Sequence, residues 1–310
     1  MGTARHRGAL VAVALAAVLV AVVVVALVLR RSTSDEPTGA VAPLAAGASS
    51  QRLDVDGRER SYRAYRPTGL AAAAPLVLVL HGGGGSARQA EEAYGWTEVA
   101  EREGFVVVHP EGVHRAWNTD GGCCGRAAAQ DVDDVAFLTQ VVDDVAQRVD
   151  VDPDRVFVTG MSNGAIMAYT LACRTDVFAA VAPVAGTMLV DCPDPAPISV
   201  FHLHGTEDTA VRMDGSPGER AGIVGPPVAD VVGLWRSVDR CLEPSVVVDA
   251  PVRRSVSGCA DGRSVELVTV DGAGHQWPGS EVRRPAADAP YPGLDATENI
   301  WRFFAAHPRP

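Results

Sequence analysis

Residues 158 to 168 read VTGMSNGAIMA, with Ser162 between Gly160 and Gly164 where a β-branched apolar run gives way to small residues of helical character. In a Gly-x-Ser-x-Gly turn between a strand and a helix, a strained backbone lifts the serine hydroxyl above the sheet. Glycine at each flank lets strand and helix close up. The flanks fit: residues 155 to 159 read as a short buried strand and 163 to 173 as the helix after it. The alternative reading is a glycine-rich turn with an incidental serine, so the pattern needs partners. A serine hydroxyl attacks a carbonyl only when a histidine takes its proton, and a carboxylate must hold that histidine in the right tautomer. The chain order to look for is serine, acid, histidine.

Two histidines, His275 and His307, lie far enough beyond Ser162 to leave room for an acid. His307 sits in the tail between Ala306 and Pro308, a poor place to hold an imidazole, whereas His275 stands in DGAGHQWPG directly after the strand-like SVELVTV. His202 and His204 alternate along ISVFHLHG ahead of the best acid and read as structural histidines at a strand end. That acid is Asp208, in HGTEDTAV beyond another strand, where open parallel sheets carry their functional residues. Glu207 beside it points elsewhere, and Asp271 is too close to His275 in sequence. The anion formed on attack must meet backbone N–H donors. PLVLVLHGGGGSA supplies a turn for one of them, assigned to Gly83 with Gly84 the nearest competitor, and Asn163 after the nucleophile supplies the other. As a phosphate loop the glycine run fails, because no Lys-Ser/Thr follows and the chain has no lysine.

With these pieces in order, the segments LHGGGGSA, WNTDGGCCG, DVDDVAFL, VFVTGMSNGAIMAYTLAC, FAAVAPVAGT, HGTED and GAGHQWPG together resemble the poly(3-hydroxybutyrate) depolymerase-like esterases, whose relatives include feruloyl and acetylxylan esterases. The resemblance covers roughly residues 50 to 306. It implies an α/β-hydrolase fold, a Ser162, Asp208, His275 triad and no cofactor. It also implies that Trp277 helps line the substrate cleft, and that the WNTDGGCC segment, with Trp117 and Asn118, borders it. After HGTED many relatives continue with a short Val-Pro-Tyr-like stretch, whereas TAVRMDGSPGERAGIVGPP here is longer and polar.

The elements that must position these residues are legible from hydrophobic period. Strand-like runs near 61 to 66, 76 to 80, 105 to 109, 155 to 159, 178 to 184, 198 to 204 and 264 to 270 alternate with helical segments. The helices fall near 87 to 102, 132 to 149, 163 to 173, 227 to 239 and 296 to 306. This is an α/β pattern, a mostly parallel sheet with helices on both faces. Asp131 at a helix start, with Asp133 and Asp134 in the first turn, suits the positive end of the helix dipole.

Residues 8 to 29 form an uncharged apolar run bracketed by Arg5 and Arg7 before it and Arg30 and Arg31 after it, long enough to span a bilayer. Residues 1–31 are therefore read as a signal-anchor, with a cleaved signal peptide as the alternative, since no Ala-x-Ala-like site is evident near Leu29. Residues 32–50, rich in Ser, Ala, Pro and Gly, read as a tether and 51–310 as the catalytic domain. This makes the expected location extracytoplasmic, held to the membrane by the N-terminal segment or secreted after cleavage.

The chain has 310 residues, of which 47 % are hydrophobic, ample for one core. Setting aside the four leader arginines takes the net charge from −11 to −15, which argues against a nucleic-acid partner. Six cysteines in an exported chain suggest bridges. Cys173 with Cys192 and Cys241 with Cys259 are favoured, leaving the neighbours Cys123 and Cys124 as a vicinal bridge or a pair of thiols. No Cys-x-x-Cys or nearby histidine pair supplies four zinc ligands. The leading reading is a serine esterase acting on short hydroxyalkanoate oligomers or related soluble esters, because the chain ends about 35 residues after His275 with no separate polymer-binding module. The alternatives are a feruloyl or acetylxylan esterase, a serine peptidase of the same fold, and a catalytically silent surface binding module.

Overall fold

The structure, a computed structural model, describes residues 41–120, 123–219, 222–280 and 288–310. The apolar run at 8–29 lies outside the described residues, as do residues 32–40 of the expected tether. Among the described residues no helix is long and apolar enough to cross a membrane.

Ten strands form one sheet among these residues: β1 (Gly47–Val55), β2 (Arg58–Arg66), β3 (Ala74–Leu80), β4 (Val106–Pro110), β5 (Val151–Met161), β6 (Ala180–Val184), β7 (Ser199–Gly205), β8 (Ser245–Asp249), β9 (Val252–Gly258) and β10 (Ser264–Val270). Their order is β1-β2-β4-β3-β5-β6-β7-β10-β9-β8. The run from β4 to β10 is parallel, and antiparallel strands close both ends. The helices are α1 (Ala87–Ala93), α2 (Trp96–Glu103), the short α3 (Gly125–Ala129), α4 (Asp134–Arg148), α5 (Asn163–Arg174), α6 (Val228–Val238) and α7 (Ala296–Ala306).

β3 shows why the sheet sits between two helical layers. Leu76, Leu78 and Leu80 point to one face and Val77 and Val79 to the other, all fully buried, so its sequence is continuously apolar rather than alternating. The leucines join a core with Phe137 and Val141 of α4, Met167 and Leu171 of α5 and Trp235 of α6. The valines join Trp96 and Val99 of α2 and Ile300 and Phe304 of α7.

Several elements differ from the sequence expectation. The helix expected over 87 to 102 is two, because Tyr94 ends α1 and Gly95, at φ 72°, redirects the chain before α2. β1 starts inside the segment expected to be tether, and Leu44 is buried, so the folded part begins before residue 51. β1 and the β8–β9 hairpin are edge elements whose sequences carry little apolar period; every residue of β8 is exposed. α4 starts later than Asp131, with Asp133 accepting from the Ala136 N–H at 2.8 Å as its cap. Asp134 turns inward to a buried ion pair with Arg60 of β2 at 2.6 Å. Three bridges are present among the described residues: Cys173–Cys192, Cys241–Cys259 and Cys123–Cys124.

Candidate active site

The residues singled out from the sequence leave the sheet at the carboxyl ends of its parallel strands. Ser162 follows β5 directly, at φ 57° and ψ −121°, a region that L-residues occupy only under constraint. The constraint is visible on both sides. A Cβ on Gly160 would stand 2.6 Å from the Gly164 carbonyl oxygen, and one on Gly164 would stand 2.4 Å from that of Leu80, so only glycine permits this crossing of strand and helix. The turn is also tied to β6, since the Ser162 N–H donates to Val184 O at 2.9 Å.

Asp208 lies in the turn after β7 and His275 in the turn after β10, and these strands are parallel neighbours with Gly205 opposite Val270. The register brings the two turns together. A Cβ on Gly205 would fall 2.2 Å from Ala273 O, and the Glu207 N–H donates to that carbonyl. His275 Nδ1 stands 2.8 Å from Asp208 Oδ2. The Asp208 side chain is fully buried and collects further donors: the N–H groups of Ala210 and Val211 on Oδ1 at 2.8 and 2.9 Å, and His204 Nε2 at 3.3 Å from Oδ2. Burial by itself would raise this carboxyl, but the hydrogen bonds from His204 and His275 outweigh it and hold Asp208 well below the usual carboxylate range. An ionised carboxylate only accepts, so the hydrogen of His275 sits on Nδ1 and the lone pair on Nε2, the state a general base needs. Among the described residues Ser162 Oγ is not hydrogen-bonded to His275; such contacts tighten in the substrate complex.

The rejected alternatives lie elsewhere. Glu207 is exposed, Asp271 accepts from Thr206 Oγ1 at 3.1 Å, and His307 caps α7 with Nδ1 on Phe303 O at 2.7 Å. His202 and His204 are within β7 and buried, and no pattern in the sequence signals that His204 reaches Asp208.

Gly83 and Asn163 face each other, a Cβ on Gly83 falling 3.7 Å from that of Asn163. The Gly84 N–H donates to Arg115 O at 2.7 Å and the Gly85 N–H to Gly82 O. Asn163 opens α5, whose first N–H groups have no partner within the helix and carry its positive end. Its side chain grips one peptide segment at two points: Oδ1 accepts from Trp117 N–H at 2.7 Å and Nδ2 donates to Trp117 O at 3.1 Å.

The three residues expected on the cleft wall are buried. Trp117 is wholly buried, with its indole N–H on His81 O at 2.8 Å and its ring against His81. Asn118 donates to Val132 O and gives its backbone N–H to Asp134. Trp277, 3 % exposed, stacks on Tyr94 at 4.4 Å and donates to Thr297 Oγ1. Large aromatic rings go where burial is greatest, as the two tryptophans do here. The polar stretch after HGTED closes on itself, Glu219 N–H donating to Thr209 O, and is tied to the body of the domain where Val228 N–H donates to Met213 O and Thr187 Oγ1 to Pro226 O.

Comparison with known proteins agrees with this geometry. Residues 60–222 match the family model described as Esterase PHB depolymerase. The chain is 33 % identical over 271 residues to "Putative esterase NocK" of Nocardia uniformis subsp. tsuyamanensis, covering 78 % of this chain and 77 % of the relative. It is 28 % identical over 268 residues to feruloyl esterase C of Emericella nidulans, covering 81 % and 85 %. Among solved structures, the acetyl xylan esterase from Aspergillus awamori superposes with a TM-score of 0.59 at 15 % identity, over 83 % of this chain and 99 % of that one, a likeness of fold. With a serine elbow, an acid and a histidine at the ends of β5, β7 and β10 in a sheet shared with solved esterases, the chain belongs to the esterase PHB depolymerase family and is a carboxylic ester hydrolase of the α/β-hydrolase fold.

Proposed function

We propose that this chain is an extracytoplasmic serine esterase that hydrolyses short hydroxyalkanoate oligomers or related soluble esters through Ser162, His275 and Asp208. The observation that carries the reading is the 2.8 Å contact of His275 Nδ1 with a buried, ionised Asp208 beside a serine elbow. In this scheme His275 Nε2 takes the proton of Ser162 Oγ as the oxygen attacks the ester carbonyl carbon. The N–H groups of Asn163 and Gly83 donate to the carbonyl oxygen as it becomes negative. Collapse expels the alcohol, which takes the proton from His275 and leaves an acyl group on Ser162. Water, deprotonated by the same nitrogen, then releases the acid and restores the serine. Residues 1–31 hold the enzyme at the membrane or direct its export, a role supported by their apolar, arginine-flanked sequence and by the three bridges of the domain.

The test is labelling with a fluorophosphonate, followed by hydrolysis of the hydroxybutyrate trimer, methyl ferulate, acetylated xylan and p-nitrophenyl butyrate by wild type and Ser162→Ala. Wild type is expected to label and Ser162→Ala to lose both label and activity, by several powers of ten. Ester hydrolysis by Ser162→Ala within tenfold of wild type would sink the triad. Fastest turnover of methyl ferulate or acetylated xylan would move the substrate class to plant cell-wall esters.

A further inference from the structure

His202 and His204 alternate along β7, so both rings leave the same face of the sheet, and both are buried. Tyr169 of α5 comes down on them. Its hydroxyl lies 2.7 Å from His202 Nδ1, His202 Nε2 lies 2.9 Å from His204 Nδ1, and His204 Nε2 lies 2.8 Å from Val211 O and 3.3 Å from Asp208 Oδ2.

The far end of this chain fixes every proton in it. A carbonyl and a carboxylate can only accept, so the hydrogen of His204 is on Nε2. With one hydrogen on the ring, His204 accepts at Nδ1 and His202 donates from Nε2. That leaves His202 Nδ1 as an acceptor for the Tyr169 hydroxyl. Burial, with His204 adding to it, pushes His202 well below the ordinary histidine value, and burial pushes Tyr169 up, so both are neutral as this order requires. Three hydrogen bonds therefore point one way, and bonds aligned like this polarise one another. They also close a clamp, because Val211 gives its N–H to Asp208 Oδ1 while its carbonyl accepts from His204.

Three polar side chains in a core that leucine and phenylalanine could fill are costly unless each is satisfied. Here all are satisfied, and the chain ends on the carboxylate that meets His275 Nδ1.

We propose that His204 is a positioning residue for ester hydrolysis: its Nε2–H, oriented by His202 and Tyr169, holds the Asp208 turn so that Oδ2 meets His275 Nδ1. This inference rests on the triad reading. It acts on turnover rather than on substrate binding, since none of the three residues needs to touch the ester.

The experiment measures kcat and KM of the full chain on p-nitrophenyl butyrate, together with thermal melting, for His204→Leu, His204→Gln and Tyr169→Phe. His204→Leu keeps bulk but loses the donor, and its kcat is expected to fall about 30-fold with KM within twofold, the scale of a small misplacement of a catalytic group. His204→Gln can set its amide nitrogen where Nε2 was and is expected to recover to within about fivefold of wild type. Tyr169→Phe removes only the hydroxyl that orients His202 and is expected to lower kcat about threefold at an unchanged melting temperature. Equal losses in His204→Leu and His204→Gln, or a folded His204→Leu with wild-type kcat, would overturn the inference. Should His204→Leu fail to fold, Tyr169→Phe decides: wild-type kcat overturns it and the threefold fall supports it. Ser162→Ala in the same assay keeps the two readings apart. Activity surviving there brings down the triad and this inference with it, whereas an inactive Ser162→Ala beside an undiminished His204→Leu removes this inference alone.

Discussion

Asp208 has two oxygens and four donors around them, and that surplus decides how the site responds to acid. Its carboxyl is held well below the usual range by His204 and His275 against the opposing pull of burial. A depressed folded pKa means that the unfolded chain binds the proton more readily. The stability contributed is complete above the unfolded value of about 4 and is lost as pH falls below it. The urea midpoint of wild type is therefore expected to drop more steeply between about pH 4 and pH 2.5 than that of Asp208→Asn, and parallel curves would contradict the assignment. In activity, Asp208→Asn is expected to lose about 10⁴-fold in kcat while keeping a measurable remainder, because it misorients His275 without removing it. The places of Asp208, His275 and Ser162 were legible in the sequence, since each follows closely on a strand that its own apolar run announces. The donors on Asp208 were not. His204 reads as one more buried residue of β7, and its reach to Asp208 depends on how the next turn folds back. The burial of Trp117 and Trp277 was hidden for the same reason: an aromatic beside a catalytic motif looks alike in sequence whether it faces the cleft or lies beneath it.

Between elements, two buried polar contacts set what the framework tolerates. Arg60 on β2 and Asp134 at the start of α4 pair at 2.6 Å with side chains 3 % and 0 % exposed. Asp134 Oδ2 also accepts the Asn118 N–H, and the guanidinium lies 3.8 Å from the centre of the Phe137 ring. Removing one partner leaves the other charge uncompensated, so Arg60→Ala is expected to lower unfolding free energy by about 3 to 5 kcal/mol, measured by urea titration. A loss under 1 kcal/mol, a small-effect threshold on the same scale, would mean water reaches Asp134. His109 on β4 is wholly buried with neither ring nitrogen hydrogen-bonded among the described residues, and burial, with Arg63 adding to it, pushes its pKa down to about 3. The unfolded chain protonates this ring near pH 6.5 and the folded one does not, so its contribution is present above about 6.5 and lost on the way down to 3. His109→Leu is expected to flatten the stability profile, by about 2 kcal/mol at pH 5 relative to pH 7. Seven strands were legible because each carries an apolar run or an alternating apolar face. β1 and the β8–β9 hairpin were not, because elements at the sheet's edge are held by pairing to a neighbour and bury little of either face. The break between α1 and α2 was also missed, since apolar residues continue on both sides of Gly95 and only its backbone conformation separates them.

For the whole molecule, the described unit from Pro43 to Pro310 is one contact unit, and the apolar residues 8–29 precede it. Expressed from its full sequence, the protein is expected to sediment with membranes and resist carbonate extraction, while added protease releases the domain from intact cells. A soluble form beginning after residue 31 would instead show cleavage. One local feature bears on the stability of the entire domain. The Ser162 backbone, at φ 57° and ψ −121°, costs about 1 to 3 kcal/mol for a residue with a Cβ. Glycine there relieves it, less about 0.5 to 1 kcal/mol for the greater freedom glycine has when unfolded. Ser162→Gly is thus expected to melt a few degrees above wild type, while Ser162→Ala, which keeps its Cβ, is not. Every molecule carries this burden whether or not an ester ever arrives. A descendant no longer selected for hydrolysis would gain durability by the same substitution that silences it, so inactive members of such a lineage are expected to drift toward glycine at the elbow and to outlast their working relatives.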